Sequence, residues 1–222
     1  MSEAMVTVFF LTLSGGLQDA YTYYYRGGVY ANAQTGNIIM LTHNLMNQNW
    51  RNALRYFLPV LAFGAGIFIS EKIREIYKEH QWIHWRQIVV MIEIILLFLV
   101  GFMPVSFQIE ANSLVSFVCA MQVEAFRKVK GSAFASTMCI GNLRSATEML
   151  YRFFHTKDVS FLEKSMRYYG VITIFAMGAA VGSFLTPYLK EKTIWVSCTL
   201  LMVVFCIMFI QACEEKVCED QK

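Results

Sequence analysis

From Ile194 to Ala212 the chain reads IWVSCTLLMVVFCIMFIQA, nineteen residues without a charged side chain. At about 1.5 Å of rise per residue such a helix is about as long as the hydrocarbon core of a bilayer is thick. Backbone amides have no water to bond there, so a segment of this kind crosses as a helix. Five weaker segments share the pattern: Met5 to Tyr24, Leu54 to Ser70, Ile88 to Phe102, Ser113 to Phe126 and Tyr168 to Tyr188. Together they predict an all-α, polytopic membrane protein of about six transmembrane helices.

Composition supports this. The chain is 56% hydrophobic and 16% charged, against about 25% charged for a soluble domain. A disordered chain, a disulfide scaffold and a nucleic-acid binder are all poor fits. The net charge of +3 is too small to imply a polyanionic partner. Cys213 and Cys218 sit four residues apart in a polar tail without a nearby His, a poor metal signature. No metal or other cofactor is expected. The first segment lacks a basic start and a small-residue cleavage site, so it reads as a span, not a signal peptide.

Lys and Arg are unevenly shared among the loops of a six-span arrangement. Fourteen fall on the side of the two termini and four on the other. Positive loops stay inside, which predicts a cell-membrane protein with both termini cytoplasmic.

A shift of 105 residues brings related features together. Asp19-Ala20 falls on Glu124-Ala125, and Gly36-Asn37 falls on Gly141-Asn142. Gly64-Ala65 aligns with Gly178-Ala179 after an insertion. Two halves follow, residues 1–105 and 106–222. Three spans per half would make the second copy enter from the opposite side, giving two inverted three-helix repeats, as in many secondary transporters.

Polar residues within these spans are the candidates for function, because a carboxylate in hydrocarbon must face a cavity or a partner. Thr12, Gly15, Gly16, Asp19 and Thr22 recur on one helical face. Asp19 is the sharpest candidate for binding a cation or carrying a proton; the competing reading pairs it with Arg26 near the headgroups. Glu124 has Arg127 and Lys128 one turn on, so a local ion pair competes with a binding role. Glu93 stands alone among apolar residues, as a coupling site or a polar tether. Asn37 and Asn142 would cap short helices, Ile38 to Leu45 and Leu143 to Phe154, whose N-terminal ends favour negative charge. Asn32, Thr35, Gly36 and Gly141 complete the expected binding set. Tyr21, Tyr23, Tyr24, Tyr25 and Tyr30 read first as an interfacial belt. Arg144 and Glu148 are spaced to pair on a helix.

The stretch SGGLQDAYTYYYRGGVYANAQTGNIIML resembles the signature of the YoaK-like family of small bacterial membrane proteins. The matching residues are Gly16, Asp19, Ala20, Ala31, Asn32, Thr35, Gly36 and Asn37. A weaker second pattern falls on Gln122, Ala125, Thr137 and Gly141. The resemblance implies about six spans and brings no substrate with it.

Hydrolase, zinc-protease, nucleotide and dinucleotide motifs are all missing from the sequence, so no enzyme is expected. The expected function is a secondary transporter or uniporter of a small solute, coupled to a proton or cation. The alternative is a non-transporting membrane scaffold or accessory protein. Its partners would be the lipid bilayer and a small solute or proton, with self-association left open.

Overall fold

The computed structural model of the chain describes residues 5–78, 84–129, 132–133 and 139–220. Thr137 of the second motif lies outside them. Cys213 and Cys218 lie on a helical stretch whose side chains are outside the described set.

The architecture is all-α. Its helices are α1 (Met5–Tyr24), α2 (Gln34–Met46), α3 (Trp50–Tyr77), α4 (Trp85–Val100), α5 (Gln108–Ala125), α6 (Cys139–Thr156), α7 (Val159–Leu189) and α8 (Ile194–Asp220). A two-residue ribbon, Lys128–Val129 against Ser132–Ala133, is the strand structure among the described residues.

Local chemistry sets several boundaries. Asn49 Oδ1 accepts from the Asn52 amide at the start of α3, and Asp158 Oδ1 accepts from the Ser160 amide at the start of α7. His84 and Gln87 form a reciprocal cap on α4. After α1 the chain reverses through Gly27 and Gly28, whose φ angles of 84° and 79° suit residues without a Cβ. A 3-10 turn over Lys190–Thr193 separates α7 from α8.

Two helical stretches, Trp50–Tyr77 and Val159–Ile210, are long and apolar enough to cross a membrane on those grounds alone. The second contains two of the six expected spans, divided by the 190–193 turn. The remaining expected spans are weaker for visible reasons. α4 has only 16 residues, and α1 carries Ser14, Gln18 and Asp19 along one side.

Helix packing is orderly. α1 lies along α7 and also meets α8 and α5; α3 lies along α5 and also meets α2 and α4. α6 packs on α7, and α4 joins α5 to α8. Small residues allow the closest approaches. A Cβ on Gly178 would stand 2.1 Å from the Leu13 carbonyl oxygen, and one on Gly66 would stand 2.3 Å from that of Phe117. Gly16 is equally tight against Phe175 of α7. Gly64 has open space where a Cβ would go.

The interior is unusually polar. Thr7, Thr12, Ser14, Gln18, Arg26, Glu93, Asn112, Ser116 and Gln122 are buried. Large apolar side chains point outward instead, among them Leu61, Phe68, Ile95, Phe98, Phe184, Met202 and Phe209.

Candidate functional site

Asp19 sits in the last turns of α1, and the chain folds back beside it. After the Gly27-Gly28 reversal, the Asn32 amide donates to Asp19 Oδ1 at 2.8 Å. The Asn32 side-chain amide reaches the Gly15 carbonyl at 3.4 Å, while its Oδ1 has no partner. Among the described residues the carboxylate is therefore held by a returning backbone and not by a cation. Arg26 is occupied elsewhere. Its guanidinium donates to the Tyr21 hydroxyl and to the carbonyls of Val100, Met103 and Pro104, at 2.7–3.2 Å. It lies near the rings of Tyr21 and Tyr25 and closes the end of α4. The Asp19–Arg26 pairing is not formed, because Asp19 on α1 and Arg26 in the turn beyond it face different neighbours.

Asp19 and Asn32 line a cavity of about 800 Å³. Five helices form its wall. α1 gives Asp19 and Tyr23, α2 gives Gln34 and Thr35, and α3 gives Val60, Phe63 and Gly64. α6 gives Cys139 and Ile140, and α7 gives Phe175, Ala179 and Ser183. The first turns of α2 and α6, the segments expected to be half-helices, thus border one space. The open position at Gly64 is part of that space.

The Gly-Asn segments take a different form from the expected one. α2 begins at Gln34 and α6 is already helical at Cys139, so Asn37 and Asn142 lie inside helices and cap neither. Asn37 instead holds the returning chain. Its Nδ2 donates to the Tyr30 carbonyl at 2.7 Å and to Gln34 Oε1 at 2.9 Å, and its Oδ1 accepts from the Tyr30 amide at 3.1 Å. Backbone groups of the descending strand offered a stronger pair of partners than the helix's own first turn. Gly36 admits the Tyr30 ring, which would lie 3.1 Å from an added Cβ. Gly36 and Asn37 border a smaller neighbouring cavity of about 350 Å³.

Other expected site residues lie away from the cavity. Glu124 pairs with Arg127 at 2.9 Å, as the local reading anticipated. Glu93 is fully buried between α4 and its neighbours. Asn142 is buried on α6, and Gly141 has open space beside it. Glu148 pairs with Arg152 at 2.7 Å and not with Arg144. Glu and Arg four apart in that order also suit the helix dipole better than the reverse.

Sequence reasoning missed several participants. Tyr23, Tyr24 and Tyr30 belong to the cavity wall, with Tyr23 stacked on Tyr30 at 4.7 Å, and Tyr21 is fully buried. Only the spacing of Tyr23 one turn beyond Asp19 hinted at this. Cys139 gave no signal beyond its apolar surroundings. Arg26 gave none, since its partners are some 75 residues away. Among the described residues no three His, Cys, Asp or Glu side chains gather as metal ligands would.

No curated protein and no solved structure matches the chain significantly. A family model described as "Protein of unknown function (DUF1275)" matches residues 7–207, and so covers α1, the cavity and most of α8. The match agrees with the expected kinship at the level of a family without an assigned function. On that match over nearly its whole length, the chain belongs to the DUF1275 family of proteins of unknown function.

Proposed function

We propose that this protein is a multi-pass membrane protein of two inverted repeats that carries a small solute across the bilayer, with Asp19 in its binding site. The observation that carries the reading is the cavity of about 800 Å³ that a buried carboxylate shares with the first turns of α2 and α6. A scaffold has no need for such a space and would fill it with side chains.

Three features support the rest. The first is the reversal of polarity between inside and outside. Exposed apolar side chains on α3, α4, α7 and α8 with buried Gln, Asn and Glu suit a lipid solvent. The second is the packing pattern. Exchanging α1, α2, α3 and α4 for α5, α6, α7 and α8 turns α1 on α7 into α5 on α3, α2 on α3 into α6 on α7, and α4 on α5 into α8 on α1. The third is register. Leu13 meets Gly178 as Phe117 meets Gly66. One turn on, Leu17 meets Gly182 as the Met121 carbonyl accepts from the Ser70 hydroxyl. This register sets Gln18 opposite Gln122 and Asp19 opposite Val123, one residue from the pairing with Glu124 that sequence comparison suggests. Both termini face the cytoplasm in this arrangement, by the Lys and Arg asymmetry.

The cavity's chemistry narrows the solute. A carboxylate among tyrosine rings attracts ammonium groups, and helix N-termini attract negative charge. Small amines and zwitterions fit both. The test is uptake into proteoliposomes of a panel of amines, amino acids and carboxylates, with and without an imposed pH gradient. Uptake lost in Asp19→Asn supports the reading. A correctly inserted protein that moves nothing in the panel favours the scaffold.

A further inference from the structure

A second carboxylate lies away from the cavity lining, on α4. Glu93 of α4 is fully buried, and neither of its oxygens has a hydrogen-bond partner. Its polar neighbours come from three helices: Gln18 of α1, Cys119 of α5 and Cys198 of α8. The field of Asp19 also reaches Cys119. α3, which touches α4 as well, brings no titratable side chain to Glu93 among the described residues, and no Lys, Arg or His there pairs with it. An ionised carboxylate sealed from water without a donor or a cation is too costly to persist.

Gln18 is fully engaged. Its amide nitrogen donates to Ser14 Oγ at 2.9 Å and to Ser197 Oγ at 2.8 Å, and its Oε1 accepts from the Cys119 thiol at 2.7 Å. Ser14 and Ser197 are themselves 2.5 Å apart. These bonds tie α1 to α8 and α5. The same amide is the strongest neutral donor beside Glu93.

We infer that Glu93 is a proton-binding site, and that its loading decides whether Gln18 ties α1 to α8. With the proton on Glu93, Gln18 stays on Ser14 and Ser197, as observed. When the proton leaves to water, the bared carboxylate draws the Gln18 amide to itself and the tie to Ser197 opens. Gln18 and Asp19 are consecutive on α1, so a turn of the helix here moves the cavity wall. The inference rests on the transport reading for its purpose, since it supplies the step by which a proton gradient would act on the cavity.

The test is infrared difference spectroscopy of the full-length protein in lipid nanodiscs across a pH series, in H2O and D2O. A protonated carboxyl stretch at neutral pH that shifts in D2O, disappears in Glu93→Gln and remains in Asp19→Asn is the expected result. Glu93→Asp, which keeps the acid, should retain a shifted band. In Gln18→Leu the band's pH midpoint should move by at least about one unit, because the charged form loses its donor. A band missing from wild type, unchanged in Glu93→Gln, or with the same midpoint in Gln18→Leu overturns the inference. In proteoliposomes, Glu93→Gln should lower gradient-driven uptake roughly tenfold or more while solute exchange continues. Uptake that depends on Asp19 but keeps its full gradient dependence in Glu93→Gln defeats the coupling role and leaves the transport reading standing. A Glu93 band that behaves as expected in a protein that transports nothing does the reverse: it upholds the proton site and removes the transport reading.

Discussion

α1 and α5 are packed by the same device and put to different uses. Each receives a glycine of a crossing helix directly on its backbone, Gly178 on Leu13 and Gly66 on Phe117. Each carries a buried Gln on its inner side, Gln18 and Gln122. Their acids part company. Asp19 is held by the amide of a returning chain and opens on a cavity. Glu124 keeps a cation of its own one turn away. The contrast teaches that α1 and α5 share a packing device while their acids are held in different ways.

The largest effects should come from the shared device. Gly178→Leu would drive a side chain into the Leu13 carbonyl, where the backbone cannot yield. Overpacking usually costs ~1–3 kcal/mol, and a backbone clash belongs at or above the top of that range. Gly66→Leu should cost a similar amount, because Phe117 and Ala120 stand as close. Thermal unfolding followed by size-exclusion in detergent measures both. A Tm that falls for one and stays for the other breaks the equivalence of the two crossings. Gly64→Leu is the control, since it points into open space; it should leave Tm nearly unchanged and reduce uptake by filling the cavity.

Next in size is the loss of function at Asp19. Asp19→Asn preserves shape and removes charge, so it should abolish gradient-driven uptake with Tm within a few degrees of wild type. Its repeat-wise counterpart by position, Glu124→Gln, should not abolish uptake. Equal loss in both variants would mean that the two acids share a role and that the contrast between the helices is false.

Much of this was legible in the sequence and some was not. Helices were legible because apolar periodicity and length are local properties; α7 and α8 follow from Tyr168–Tyr188 and Ile194–Ala212 almost directly. Asp19, Asn32 and Thr35 were legible as a group because a polar cluster in an apolar segment has few inexpensive places to go, and all three border one cavity. The capping role given to Asn37 and Asn142 was wrong because a cap depends on where the helix starts, and the chain is already helical at Gln34 and at Cys139. The competing reading that paired Arg26 with Asp19 fails because sequence distance stood in for direction. The true partners of Arg26, at the end of α4, are visible only once the helices are assembled.

The returning chain after α1 offers an intermediate effect. Asn37→Ala removes three hydrogen bonds that pin Tyr30 and Gln34. Each is worth about 0.5–1.5 kcal/mol, with a further cost for backbone groups left unpaired in a buried place. A loss of about 2–3 kcal/mol is expected, together with weaker solute binding, because Tyr30 lines the cavity. Asn142→Ala on α6 tests whether the second segment does the same work. A smaller loss there would place the asymmetry of the halves in their returning chains as well as in their acids.

The smallest effect should be the stability cost at Glu124. Its side chain is largely buried, but Arg127 is half exposed and the pair spans a single helical turn at the end of α5. Such pairs contribute about 0–1 kcal/mol, because solvent screens the cation and both side chains lose freedom in forming them. Glu71 also lies 3.6 Å from Arg127, so the cation keeps a partner when Glu124 is neutralised. Glu124→Gln should therefore shift Tm by no more than a few degrees, and added salt should shrink the difference. Glu71→Gln with Glu124→Gln should cost more than the two single changes together, since only the double variant leaves Arg127 without an acid from α3 or α5. A strictly additive double variant would show that Arg127 gains nothing from either carboxylate. The neutralisation that separates Glu124 from Asp19 would then need another source.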